Sequence, residues 1–217
     1  TYHASRITYH GFTLMLRTEL EQFLEETFQY ENFEDHCKNG LQVEGKESIH
    51  KIAFGVSFSH PLLEEAIKLH ADAIIVHHGV FGKNFFSLKG AMKNRIKFLL
   101  QHDMSLFGIH LPLDAHREYG NNTQLFSYIG GEIIEPYDVG FIGENKEQHS
   151  LSQLLDIFHQ KLHPEHYRDI PVKNPLSSVL TPKQHAGFLY FDNGPETPEK
   201  IAIISGGAAR EYYREGK

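Results

Sequence analysis

The sequence predicts an α/β fold with mixed sheets, and three observations carry that reading. Two apolar runs rich in β-branched and aromatic residues, Ala73-Ile74-Ile75-Val76 and Leu106-Phe107-Gly108-Ile109, each stop abruptly at histidine, as buried strands do when they deliver polar groups at their carboxyl ends. Residues 49–78 read as strand, capped helix and strand, a β-α-β unit whose right-handed crossover yields a parallel pair. Residues 16–28 carry Leu16, Leu20, Phe23, Leu24 and Phe28 at helical spacing with acidic residues opposite, an amphipathic packing helix.

Taken in order, residues 1–14 show no clean periodicity and read as an N-terminal extension ahead of Met15. After the first helix, Asn39-Gly40 signals a turn, and Leu41-Gln42-Val43 a short strand or edge segment. A strand is expected over 49–58. Ser59 is a suitable N-cap, with Pro61 just inside a helix carrying Leu62, Leu63, Ala66, Ile67 and Leu69. Residues 81–90 form a loop whose aromatics Phe81, Phe85 and Phe86 either line a pocket or pack down, packing being favoured. A helix over 95–102 feeds the second histidine-bearing strand, and Gly120-Asn121-Asn122-Thr123 opens another helix with Asn or Thr as cap.

Between 131 and 199 the signals weaken. A helix is expected over 151–162, and 164–182, with its prolines, reads as loop. His159 and His163 have a spacing that can hold a metal on one helix face, but no carboxylate partner accompanies them and a solvated face is the expected reading. Residues 200–210 read as strand, glycine turn and helix start. Gly206-Gly207 lacks the further residues of a phosphate-cradling loop. The chain thus divides into the extension 1–14, an α/β domain over 15–130 and an incomplete α/β region over 131–217.

Composition sets outer bounds. The 217 residues are 40% hydrophobic and 23% charged, enough for a substantial core, and no apolar run approaches the ~18 residues that span a bilayer. The net charge of −7 argues against backbone-directed binding to nucleic acid, where lysine and arginine must replace counterions. A single cysteine, Cys37, excludes an internal disulfide framework; nothing near it activates a thiolate, and a cytoplasmic protein is expected.

Chemistry concentrates at the two strand ends. Open α/β sheets place ligands outside the carboxyl ends of their strands. There His77, His78, His110 and Asp114 offer three imidazoles and a carboxylate, a set suited to zinc, iron or manganese. With 16 histidines in the chain, any single one is more often solvated than ligating. Adjacent histidines on a strand point to opposite faces, so His77 and His78 can serve one centre only if the backbone turns, which Gly79 permits.

His77-His78-Gly79, the run from Gly108-Ile109-His110-Leu111-Pro112-Leu113-Asp114 through Ala115-His116 to Gly120-Asn121-Asn122, and Asn39-Gly40-Leu41-Gln42-Val43-Glu44-Gly45 resemble the Nif-three-like family. Its bacterial members are often labelled GTP cyclohydrolase I type 2 homologues. The resemblance implies two intertwined three-layer α/β/α domains, two divalent ions per subunit and a ring-shaped homohexamer with its sites facing an inner cavity. It assigns His77, His78 and Asp114 to the metals and leaves His110 as a further ligand or proton shuttle. It also implies later strands and a terminal His and Glu without counterpart here, so the second domain reads as truncated and an intact two-metal site is not expected. The implied activity is metal-dependent hydrolysis of a nucleotide or related small molecule. The alternative is a metal-binding or partner-binding ring without turnover. Neither nucleic acid nor membrane is an expected partner.

Overall fold

The computed structural model describes residues 14–83, 87–162, 183–185 and 188–206. The chain divides into two compact units, Thr1–Leu113 and Asp114–Lys217.

In the first unit, β1 (Met15–Leu16) leads into α1 (Arg17–Phe28), followed by β2 (Gly40–Val43), β3 (Ser48–Ile49), β4 (Ile52–Ser57), α2 (His60–Lys68), β5 (Ala73–His78), α3 (Gly90–Gln101) and β6 (Ser105–Gly108). The main sheet runs β2-β6-β5-β4, with β4, β5 and β6 parallel and β2 antiparallel to β6. Period-two alternation along the central strands feeds two cores. Ile74, Val76 and Leu106 pack with Leu63 and Ala66 of α2 and Ile96 and Leu99 of α3. Ala73, Ile75 and Phe107 pack with Leu20, Leu24 and Phe28 of α1. Each central strand is therefore covered on both faces, which is why it reads as an unbroken apolar run rather than an alternating one. The Ser59 Oγ accepts the Leu62 N–H at 3.4 Å, with Pro61 in the first turn, so the expected cap holds.

Two boundaries differ from the sequence reading. The strand expected over 49–58 is two strands, because the Asp72 carboxylate accepts the N–H groups of His50 (2.6 Å) and Lys51 (2.9 Å) and takes them out of the ladder. Before that break, β3 pairs with β1. The helix expected from 95 begins at Gly90, with Met92 packed against the core. Phe81 packs there too, as expected, while Phe85 and Phe86 lie outside the described residues.

The second unit holds α5 (Asn121–Tyr128), β7 (Glu132–Tyr137), β8 (Gly140–Glu144), α6 (Leu151–Leu162), β9 (Lys183–His185), β10 (Phe188–Tyr190) and β11 (Lys200–Ile203). Before α5 comes the short helix α4 (Leu111–Asp114), whose last residue opens this unit. An antiparallel sheet runs β11-β8-β7, and Phe126, Ile129, Phe141, Leu154 and Ile203 form its core. β9 and β10 form a separate antiparallel pair. Helix α6 has the expected bounds; His163 and the stretch 164–182 lie outside the described residues.

The β7–β8 hairpin has no counterpart in the sequence reading. A register shift between Ile133 and Glu135 breaks the alternation, and Pro136 looks like a breaker. Proline is tolerated because β7 is an edge strand of the described sheet. The hairpin turns at Asp138 in the left-handed region (φ 53°), where aspartate is among the more tolerant residues. The Asn or Thr cap expected for α5 is also absent: its N-cap is Gly120, without a side-chain cap bond. The Asn122 amide instead donates to the carbonyls of Asp114 (3.1 Å) and Val139 (2.8 Å) and accepts the Ser205 N–H (2.6 Å). Among the described residues, no helix is long and apolar enough to cross a membrane.

Candidate metal centre

The parallel register sets β6 to end opposite Val76, so His77 and His78 extend past it on β5. The chain leaving β6 returns an Ile109 N–H to the Val76 carbonyl (2.8 Å) and then presents His110. The three histidines converge: one ring nitrogen from each lies within 4.8 Å of the others. Ring centroids are 4.5 Å apart for His77 and His78, 5.0 Å for His77 and His110, and 5.9 Å for His78 and His110.

The adjacent histidines meet without the backbone turn expected at Gly79. Strand pairing continues through Ser57↔His78, and the Gly79 φ is not positive. Position 79 is crowded for another reason. A Cβ on Gly79 would lie 2.4 Å from both amide atoms of Gln42, and one on Gly108 would lie 2.4 Å from the same Nε2. Gln42 fills the gap between the two strand ends. Its Oε1 accepts the Val80 N–H (2.7 Å) and Phe81 N–H (3.3 Å), and its Nε2 donates to the Lys38 carbonyl (2.5 Å).

Each imidazole is held through Nδ1. The buried His77 bonds the Ile109 carbonyl through Nδ1 (2.9 Å), and since a carbonyl only accepts, Nδ1 is the donor. The exposed His78 shares a hydrogen bond with the Ser57 Oγ (2.9 Å). His110 Nδ1 lies 2.9 and 3.1 Å from the two Asp35 oxygens. Burial alone would raise the Asp35 pKa. The N–H groups of Cys37 and Leu111, the Asn39 amide and the His110 ring outweigh it and hold the carboxyl below its ordinary value. Burial, and then the Asp35 charge, push the Cys37 thiol up. Asp35, His36, Cys37 and His110 form a second group with ligand-type atoms within 4.8 Å of one another.

Asp114 belongs to the second unit. It is buried, and its Oδ1 accepts from Asn121 Nδ2 (2.8 Å) and Ser205 Oγ (2.5 Å). Asp35, Gln42 and Ser57 went unmarked as site residues in the sequence. Only Gln42 had a signal, being inside the Asn39-to-Gly45 motif.

An α/β/α unit that brings histidines together at the end of one parallel strand and just beyond the end of its neighbour defines a class: α/β proteins with a histidine cluster able to hold a divalent cation. This chain belongs to the DUF34/NIF3 (NGG1p interacting factor 3) family, whose description matches residues 15–216. It is 51% identical over 126 residues to a GTP cyclohydrolase 1 type 2 homolog of Escherichia coli (strain K12), covering 56% of this chain and 51% of that protein. The chain thus spans about half the length of that relative. It is 37% identical over 194 residues to the protein of that name from Haemophilus influenzae, covering 89% of this chain and 71% of the relative. The solved structure described as protein ybgI, of unknown function, aligns with a TM-score of 0.74 at 36% identity, covering 91% of this chain and 72% of that one. The expected α/β fold with mixed sheets is that of these relatives.

Proposed function

We propose that this protein binds divalent metal at His77, His78 and His110 and uses it to hydrolyse a nucleotide or related small molecule. The observation that carries the reading is the convergence of three imidazoles, each with Nδ1 engaged by a different partner. Such outer partners orient histidine ligands and favour the tautomer a metal needs. Imidazole donors fit zinc, iron or manganese. Two ions per subunit is the number the resemblance implies for the intact family, as it implies a homohexameric ring.

When bound, a divalent ion supplies Lewis acidity and makes water acidic enough to lose its proton near neutral pH. The chain's own groups do the rest. His77 is buried and fixed, giving a rigid donor, and His78 is exposed at the approach. His110 acts at Nε2, as third imidazole donor or as proton carrier, because Asp35 occupies its Nδ1. The relatives' name, GTP cyclohydrolase 1 type 2 homolog, makes GTP the first substrate to try.

The test loads the full chain with Zn(II), Mn(II) or Fe(II), removes free metal and counts retained ions, then follows GTP and other nucleotides by chromatography. Retained metal that is lost in the His77→Ala/His78→Ala variant, together with metal-dependent nucleotide turnover, is the expected result. Equal retention by that variant would overturn the site. Retention without turnover across the nucleotides would remove the hydrolase and leave a metal-binding or partner-binding protein.

A further inference from the structure

We propose that Asp35 is the positioning residue of this centre: its carboxylate fixes the ring orientation and tautomer of His110, so that Nε2 faces the site. The inference rests on the metal-binding reading above. The Asp35 side chain is 3% exposed, and both its oxygens are occupied. Oδ1 accepts from the Cys37 N–H (2.9 Å) and His110 Nδ1 (2.9 Å). Oδ2 accepts from Asn39 Nδ2 (3.1 Å), the Leu111 N–H (3.1 Å) and His110 Nδ1 (3.1 Å). The same loop grips the backbone, since Asn39 Oδ1 accepts the His110 N–H (2.7 Å). One carboxylate therefore holds the ring of residue 110 and the N–H of residue 111, while its neighbour Asn39 holds the N–H between them.

The nearness of Asp35, His36, Cys37 and His110 invites another reading, a second ion bound by carboxylate, imidazole and thiolate. The hydrogen bonds decide against it. A cation there would have to displace N–H donors already aimed at a buried carboxylate, leaving those donors unpaired at a cost of about 1–3 kcal/mol each. A carboxylate that accepts from the Nδ1–H of a histidine instead makes the opposite nitrogen a more basic, better-aimed donor.

The experiment uses the full chain, ¹⁵N-labelled at histidine, with Asp35→Asn and His110→Ala variants. In the metal-free wild type, long-range ¹H–¹⁵N correlation should show His110 as the Nδ1–H tautomer, assigned by its loss in His110→Ala. In Asp35→Asn that tautomer should be lost or mixed. Zn(II) affinity by competition titration should fall about 10–100-fold, with the circular dichroism spectrum unchanged. An Nε2–H tautomer in the wild type would overturn the proposal whether or not Asp35→Asn folds. So would unchanged tautomer and affinity in a folded Asp35→Asn protein. A thiolate-to-metal absorption band on Co(II) loading, lost in Cys37→Ser, would establish the competing second site instead. A wild type that binds no Zn(II) but shows the Nδ1–H tautomer would sink the metal-binding reading, and with it any role for Asp35 at a metal, while leaving the Asp35–His110 pairing intact. The two failures are thereby told apart.

Discussion

Gly79→Ala should destabilise the protein through Gln42, and removal of the Gln42 side chain should absorb most of that effect. A Cβ at position 79 would stand 2.4 Å from Gln42 Oε1 and Nε2 and 2.6 Å from Cδ. Glutamine is a flexible side chain, and a free one would swing aside at little cost. This one is tethered by bonds to Val80, Phe81 and Lys38, and a Cβ on Gly108 would also crowd its Nε2. To make room it must surrender those bonds, each contributing about 0.5–1.5 kcal/mol net. The 3.3 Å bond to Phe81 is the weakest by its length, and half-burial lets water replace part of the loss. We therefore expect about 2 kcal/mol for Gln42→Ala and about 2–3 kcal/mol for Gly79→Ala. The double variant should fall close to Gln42→Ala alone, a coupling of about 2–3 kcal/mol and well above the scatter of independent sites. Urea denaturation midpoints of the four proteins at constant slope give the cycle, and 2 kcal/mol corresponds to roughly 4–8 °C in Tm for a chain of this size. Additive losses, or a neutral Gly79→Ala, would refute the argument that Gln42 wedges the two strand ends together.

Two further outcomes follow from the first unit. Phe107, fully buried between β6 and α1, should cost about 3–5 kcal/mol on replacement by Ala, read as a fall in denaturation midpoint. Burial alone would raise the Asp72 pKa, but bonds from Lys46 and from the N–H groups of His50 and Lys51 lower it overall. A depressed folded pKa contributes stability above the unfolded carboxylate range that disappears as pH falls through the folded value. The stability gap between wild type and Asp72→Asn should therefore be widest at about pH 6 and narrow towards about pH 3. A gap that widens on acidification would reverse the assignment.

The parts of this protein that were legible in its sequence are those whose cause is local. The Ser59 cap, the bounds of α6 and the two strands that lead to histidine each follow from residues a few positions apart. β5 and β6 could be read because both their faces are buried, which leaves an unmistakable apolar run. β7 could not, because an edge strand tolerates the register shift and the proline that erase its pattern. Gly79 reads as permitting a backbone turn, whereas the atoms that crowd it belong to Gln42, a residue distant in sequence. Asp35 is the sharpest case. It stands in an acidic stretch with Glu31 and Glu34, where a solvated face is the ordinary expectation, and its partner His110 is 75 residues away. A strand can show in its own sequence that it ends in histidine. What holds that histidine by its other nitrogen is set by whichever distant loop folds over the strand end, so the donors of such a centre can be read well before their supports.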